Sequence, residues 1–108
     1  MCAVVNAADG PGNVSDTLIK KVYCGYVEGN NMCSIVFDKP IQNKASCANN
    51  ASSTVSYRMQ FQLNDEIGKA LLSLALTAYT TGKSVNISST GFCNIFSGLS
   101  DLDLIELN

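Results

Sequence analysis

The chain has 108 residues, a formal net charge of −2 and 15% charged residues, which bounds it to one domain with a modest core that gains from covalent staples. Its seven Lys and Arg are scattered apart from Lys20–Lys21, and Trp is absent, so the basic, stacking face that nucleic-acid binding requires is missing. The chain has no His, which removes the commonest general base and metal ligand and excludes Ser-His-Asp and Cys-His machinery.

Residues 1–13 read as a flexible arm and residues 14–108 as the folded domain. The opening, MCAVVNAADGPGN, has neither a charged n-region nor a long apolar stretch, so it is not an intact signal peptide. VNAA before Asp9 fits the tail of one. A mature start with an added Met, or a lipoprotein cysteine at Cys2, are the other readings. Asp9 to Asn13 (DGPGN) is a turn cluster.

Val14 to Val27 reads as one extended strand, with Leu18, Val22, Cys24 and Tyr26 sharing a parity. Glu28 to Asn31 (EGNN) is a hairpin turn, and Met32 to Phe37 is the second strand, ended by Pro40. Gln42 to Ser53 is a polar loop anchored by Cys47. In VSYRMQFQ, Val55, Tyr57, Met59 and Phe61 alternate with polar residues, which predicts a half-buried third strand.

A helix follows, with Asn64 or Asp65 as N-cap and Gly82 closing it. Lys83 to Ser89 and Leu102 to Leu107 are the last strands, separated by a loop carrying Cys93. Three strands, a helix and two strands give a mostly β chain with one α-helix. This is the chain order of the OB-fold, a five-stranded antiparallel barrel with the helix between strands 3 and 4. A plain α+β sandwich is the alternative.

Stepped at about 100° per residue, Ile67, Ala70, Leu71, Leu74, Ala75 and Ala78 cluster on the face that should plug the barrel. Leu72, Leu76 and Tyr79 fall outside it, and the polar sector is only Lys69, Ser73, Thr77 and Thr80. A surplus apolar flank predicts either coverage by the chain's own strands and loops or packing against further copies. The second is preferred, with Leu72, Leu76, Ser73 and Lys69 as interface residues.

None of the five cysteines forms a C-x-x-C pair, which argues against zinc and thioredoxin-type sites. Cys24, Cys33, Cys47 and Cys93 in a short Ser/Asn-rich chain imply two disulfides and a secreted or periplasmic protein, and their spacing leaves the pairing open. No run approaches a membrane span. N-x-S triplets at Asn13, Asn50 and Asn86 matter only in a host that glycosylates exported proteins.

Three stretches carry a resemblance: ALTAYTTGKSVNI (Ala75 to Ile87), GNVSDTLI (Gly12 to Ile19), and Cys33 and Cys47 with thirteen residues between them. The chain resembles the OB-fold B subunits of AB5 toxins, the family of subtilase cytotoxin and its pertussis-like relatives. It also resembles small exported bacterial proteins of the same pattern without known function. The helix-Gly-strand run is the most specific of the three.

The resemblance implies a ring of five subunits with helices around a central channel, a partner toxin A subunit, and cell-surface glycan binding. In the family the serine matching Ser15 contacts sialylated glycan, helped by polar groups just before it, which points to Asp9 and Asn13. The family's aromatic on the strand after the helix is replaced here by Ser88 and Ser89. The cytotoxin-like disulfide pattern pairs Cys33 with Cys47 and leaves Cys24 with Cys93. The small exported relatives carry cysteines resembling Cys47 and Cys93, which leaves Cys24 with Cys33. The latter is preferred because Cys47–Cys93 ties the central loop to the loop before the last strand.

The expectation is therefore a secreted, homo-oligomeric glycan-binding module. The alternative is an exported OB-fold oligomer that binds a protein and no sugar. Among Asp9, Asp16, Asp65, Glu66, Asp101, Asp103 and Glu106 no pair is framed by a catalytic motif and no phosphate loop exists, so neither an enzyme nor a cofactor is expected. A metal site lacks clustered ligands.

Overall fold

The computed structural model describes residues 12–108; the first eleven residues, including most of the expected arm, lie outside the described part. The elements are β1 (Asn13–Thr17), β2 (Ile19–Val27), β3 (Asn30–Phe37), β4 (Arg58–Phe61), α1 (Glu66–Thr81), β5 (Val85–Ser89) and β6 (Ser100–Leu107). The domain is mostly β with one helix. Its strands form a six-stranded sheet in the order β1-β5-β6-β4-β3-β2.

Two features differ from a five-stranded antiparallel barrel. The β4–β6 ladder is parallel, because α1 and β5 intervene as the crossover that a parallel pair requires. The strand expected over residues 14–27 is divided at Leu18 into β1, which pairs with β5, and β2, which pairs with β3. Asp16 sits at φ 56, a left-handed conformation that Asp tolerates better than most residues. The registers slip between Val14 and Thr17 and between Ile19 and Lys21. β1 and β2 consequently stand at opposite ends of the hydrogen-bonded order.

The β2–β3 hairpin turns through Glu28 and Gly29, at φ 52 and 84, the primed geometry that suits the strand twist. The third expected strand is shorter than its alternation suggests. Val55–Tyr57 is a 3-10 turn, and only Arg58–Phe61 is paired. Met59 and Phe61 enter the core as expected, but Gln60 is buried too. Its Oε1 accepts from Ser34 Oγ at 2.6 Å, so its amide is satisfied out of water.

Helix α1 starts where Asp65 Oδ1 accepts from Gly68 N at 2.8 Å and ends at Gly82, φ 71. Its buried stripe is Gly68, Leu71, Ala75 and Ala78, rotated from the expected face. Ile67 is 65% exposed and Ala70 is exposed. The cause is a close approach: a Cβ on Gly68 would lie 2.0 Å from the Gln62 carbonyl oxygen. Only glycine lets the first turn sit there, and that turns residue 68, not Ile67, toward the sheet. Leu72 and Leu74 pack against the core from the flanks. The core itself gathers Ile35, Phe37, Met59, Val85, Ile87 and Ile105 beneath this stripe.

Two disulfides are present, Cys24–Cys33 and Cys47–Cys93. Cys24 and Cys33 face each other across the hairpin, with Cα atoms 4.0 Å apart. Cys47–Cys93 joins the loop after β3 to the loop before β6, as preferred from the sequence. Nearby, Asn50 N donates to the Gly98 carbonyl at 3.0 Å.

Gly68→Ala is expected to lower unfolding stability by about 2 kcal/mol or more, since the clash exceeds alanine's gain of about 1 kcal/mol in helix propensity. Chemical denaturation measures this, and an unchanged midpoint would refute the close approach. Chain-entropy scaling sets the two disulfides apart. Replacing the Cys47–Cys93 pair by serines, with its sequence separation of 46, should cost about 4 kcal/mol. Replacing Cys24–Cys33, separation 9, should cost about 2.6 kcal/mol. The reverse order in the same denaturation assay would contradict this account.

Candidate functional site

The outer face of β1 carries a groove of about 230 Å³ lined by Asn13, Val14, Ser15, Lys39, Pro40 and Gln42. Alternation on the strand explains the contrast along it. Val14 points into the core, while Asn13 and Ser15 stand exposed. Ser88 on β5 is the register partner of Asn13, which adds a third polar group beside the groove.

The opposite wall comes from the segment after β3. Asn13 N donates to the Gln42 carbonyl at 3.0 Å, and Gln42 N returns a bond to the Asn13 carbonyl at 2.8 Å. Gly12 is wedged against this wall, since a Cβ there would meet Ile41 Cγ2 at 2.7 Å. Lys39 N donates to Thr17 Oγ1 at 3.2 Å. That hydroxyl donates in turn to Asp38 Oδ1 at 2.7 Å, and the same oxygen accepts from Leu18 N at 3.0 Å. The backbone of the groove's far wall is thus fixed to β1 at both ends.

Of the glycan-contact candidates, Asn13 and Ser15 are brought together here, while Asp9 lies outside the described residues. Lys39, Pro40 and Gln42 were not anticipated. Pro40 marks the end of β3 in the sequence, but nothing local says that the segment folds back onto β1. On the helix, Lys69, Ser73 and Leu76 are exposed, and Lys69 Nζ lies 3.5 Å from Glu66 Oε1. Leu72 is half-buried against the chain's own core. The exposed apolar flank therefore narrows to Leu76 and Tyr79, 44% and 52% exposed.

A wider groove of about 540 Å³ lies beside this flank, between the end of α1 and the β1–β2 break, lined by Leu18, Ile19, Lys20, Ala78, Tyr79, Thr80 and Gly82. A third depression, about 250 Å³, runs beneath Ile67 toward Leu102 and Asp103. Among the described residues no cluster of His, Cys, Asp and Glu could hold a metal ion. No helix there is long and apolar enough to cross a membrane.

Two carboxylates are displaced in opposite directions. The Leu18 N–H, then the Thr17 hydroxyl, hold Asp38 below the ordinary carboxylate value. Asp101 is raised, because burial outweighs the N–H groups of Asn94 and Ile95 that its carboxylate accepts from. No family model, curated protein or solved structure matches the chain.

The linkage signs follow. The bonds to ionised Asp38 stabilise the fold above the ordinary value of 3.8, and that contribution is lost as pH falls through the lowered folded value. Asp101 acts oppositely: its ionisation opposes folding at neutral pH, and this penalty is relieved as pH falls through its raised value toward 3.8. Carboxyl carbon NMR titration should find Asp101 above 3.8 and Asp38 below it, with Thr17→Val moving Asp38 upward. The opposite order would refute the assignment.

Proposed function

We propose that the chain is an exported, non-enzymatic binding module that assembles with copies of itself and holds a cell-surface glycan in the β1 groove, like the B subunit of an AB5 toxin. The observation that carries this reading is the groove. Residues that carry hydroxyl, amide and ammonium groups, Ser15 and Asn13 on β1 and Gln42 and Lys39 on the facing segment, line it together. Such groups exchange hydrogen bonds with sugar hydroxyls at little cost, because both partners are already hydrated. The backbone ladder and the Asp38 clamp hold the backbone that carries them, which limits the entropy lost on binding.

The OB-fold belongs to the same proposal. Thr17 and Ile19 are separated by one residue, and the strands they end and begin stand at the two ends of the sheet order. Counted as one strand bent at Leu18, β1 and β2 restore five strands with the helix between the third and fourth. The two disulfides suit an oxidising compartment, periplasmic or extracellular. Leu76 and Tyr79 beside the wider groove supply an apolar surface for a second copy, and a ring of five is the assembly this reading favours. A toxin A subunit would then dock on that ring.

A second reading has an observation of its own. The groove's apolar members are only Val14 and Pro40, while the exposed aromatics Tyr23, Tyr26, Tyr79 and Phe92 stand elsewhere. Sugar sites usually contain a stacking ring. An oligomer that binds a protein partner without sugar affinity fits that arrangement.

Native mass spectrometry and a glycan array separate the two. The glycan reading expects an assembly of five copies that Leu76→Glu dissociates. It also expects glycan binding that Ser15→Ala or Lys39→Ala weakens about tenfold, the worth of one good hydrogen bond. An assembly with no glycan bound leaves the protein-partner reading, and a monomer without ligand overturns both.

A further inference from the structure

On the sheet face opposite the core, cations gather with no ion pair among the described residues. Lys21, Val36 and Arg58 are register partners across β2, β3 and β4, so their side chains project from the same face. Lys21 and Arg58 are two strand spacings apart, about 10 Å. Arg58 closes that distance. Its Nη1 donates to Tyr23 Oη at 2.6 Å, and Tyr23 is on β2. The guanidinium therefore lies across β3, toward the strand that carries Lys21.

Its other partner is Ser52 Oγ, 3.5 Å from Nη2, and Nε is buried with no partner. Lys44 approaches the same turn, with Nζ 3.0 Å from Ser56 Oγ. All these partners are hydroxyls. The one ion pair among the described residues joins Lys69 and Glu66 on the helix. Among the described residues, Lys21, Lys44 and Arg58 therefore make no ion pair with a carboxylate.

A half-buried guanidinium tethered by hydroxyls keeps its orientation yet gains no charge compensation from the described residues. A small oxyanion over Val36 would supply it. It would accept from the remaining guanidinium N–H groups, in the geometry Arg favours for planar or tetrahedral oxyanions, and from Lys21 Nζ.

We propose that Lys21, Tyr23 and Arg58 form a binding site for a sulfate or carboxylate group, with Lys44 at its margin. The group belongs to an acidic saccharide, an assignment that rests on the glycan reading above, whereas the anion site itself does not. Segment 41–44 links this site to the β1 groove. Gln42 lines the groove, Ile41 N donates to the Ser56 carbonyl at 2.8 Å, and Lys44 meets the Ser56 hydroxyl.

The test is an amide NMR titration at constant ionic strength, using sodium sulfate with chloride as the baseline. Saturable shifts confined to Lys21, Tyr23, Val36 and Arg58 are expected. Lys21→Gln, an exposed change that leaves the fold intact, should weaken sulfate binding about fivefold or more. Tyr23→Phe should also weaken it by releasing the guanidinium. Shifts spread over all the lysines, or a Lys21→Gln variant that binds as well as the parent, would overturn the site.

Glucose 6-sulfate and glucuronate are then compared with glucose. Tighter binding of the charged sugars with shifts at the same residues supports the saccharide assignment. Equal binding of all three sugars overturns that assignment and leaves the sulfate result standing. Ser15→Ala is expected to leave inorganic sulfate binding unchanged, so failure of the groove and failure of this site are separable.

Discussion

One oxygen of Asp38 accepts from both Thr17 Oγ1 and Leu18 N, and this contact holds the break between β1 and β2. A strand that ran straight through Leu18 could pair with only one neighbour set. Broken there, the chain gives β1 to β5 and β2 to β3, so a single segment serves both ends of the sheet. The same bond network fixes Lys39 against Thr17. The bend and the placement of Lys39 against β1 are therefore held by one carboxylate, together with the Asn86 side chain that takes the Asp16 N–H.

Helix α1 depends on a different constraint, and the two meet in the core. The Gly68 approach to Gln62 sets the rotation of the helix, which places Leu71, Ala75 and Ala78 over the sheet. Small residues along that stripe let the helix lie close. The larger side chains are displaced to the flanks, where Leu72 and Leu74 complete the core and Leu76 and Tyr79 remain outside. The apolar surface that this flank leaves exposed is thus narrower than the helix's total apolar content.

The two polar surfaces differ in kind. The β1 groove presents neutral hydroxyl and amide groups with one ammonium, held by backbone bonds. The face over Val36 presents Lys21 and an Arg58 held by hydroxyls. Segment 41–44 runs between them, braced to Ser56 on one side and to Asn13 on the other.

The sequence by itself determined the features that rest on local chemistry. The Asp65 and Gly82 caps, the Glu28–Gly29 hairpin and the inward alternation of Met59 and Phe61 each depend on residues close in the chain, and each is visible as a pattern. Ser15 and Asn13 were singled out by a family resemblance alone. Tertiary structure alone decided the features that depend on distant partners. Asp16 and Leu18 break a strand because Asn86 and Asp38, far away in the chain, take their N–H groups. Gly68 outranks Ile67 on the helix because a carbonyl from the preceding segment occupies the space a side chain would need. Lys39 and Gln42 join Ser15 because the segment after β3 folds back onto β1, and Arg58 reaches Tyr23 by spanning β3. Periodicity records which face a residue prefers but carries no information about which residue waits across the gap.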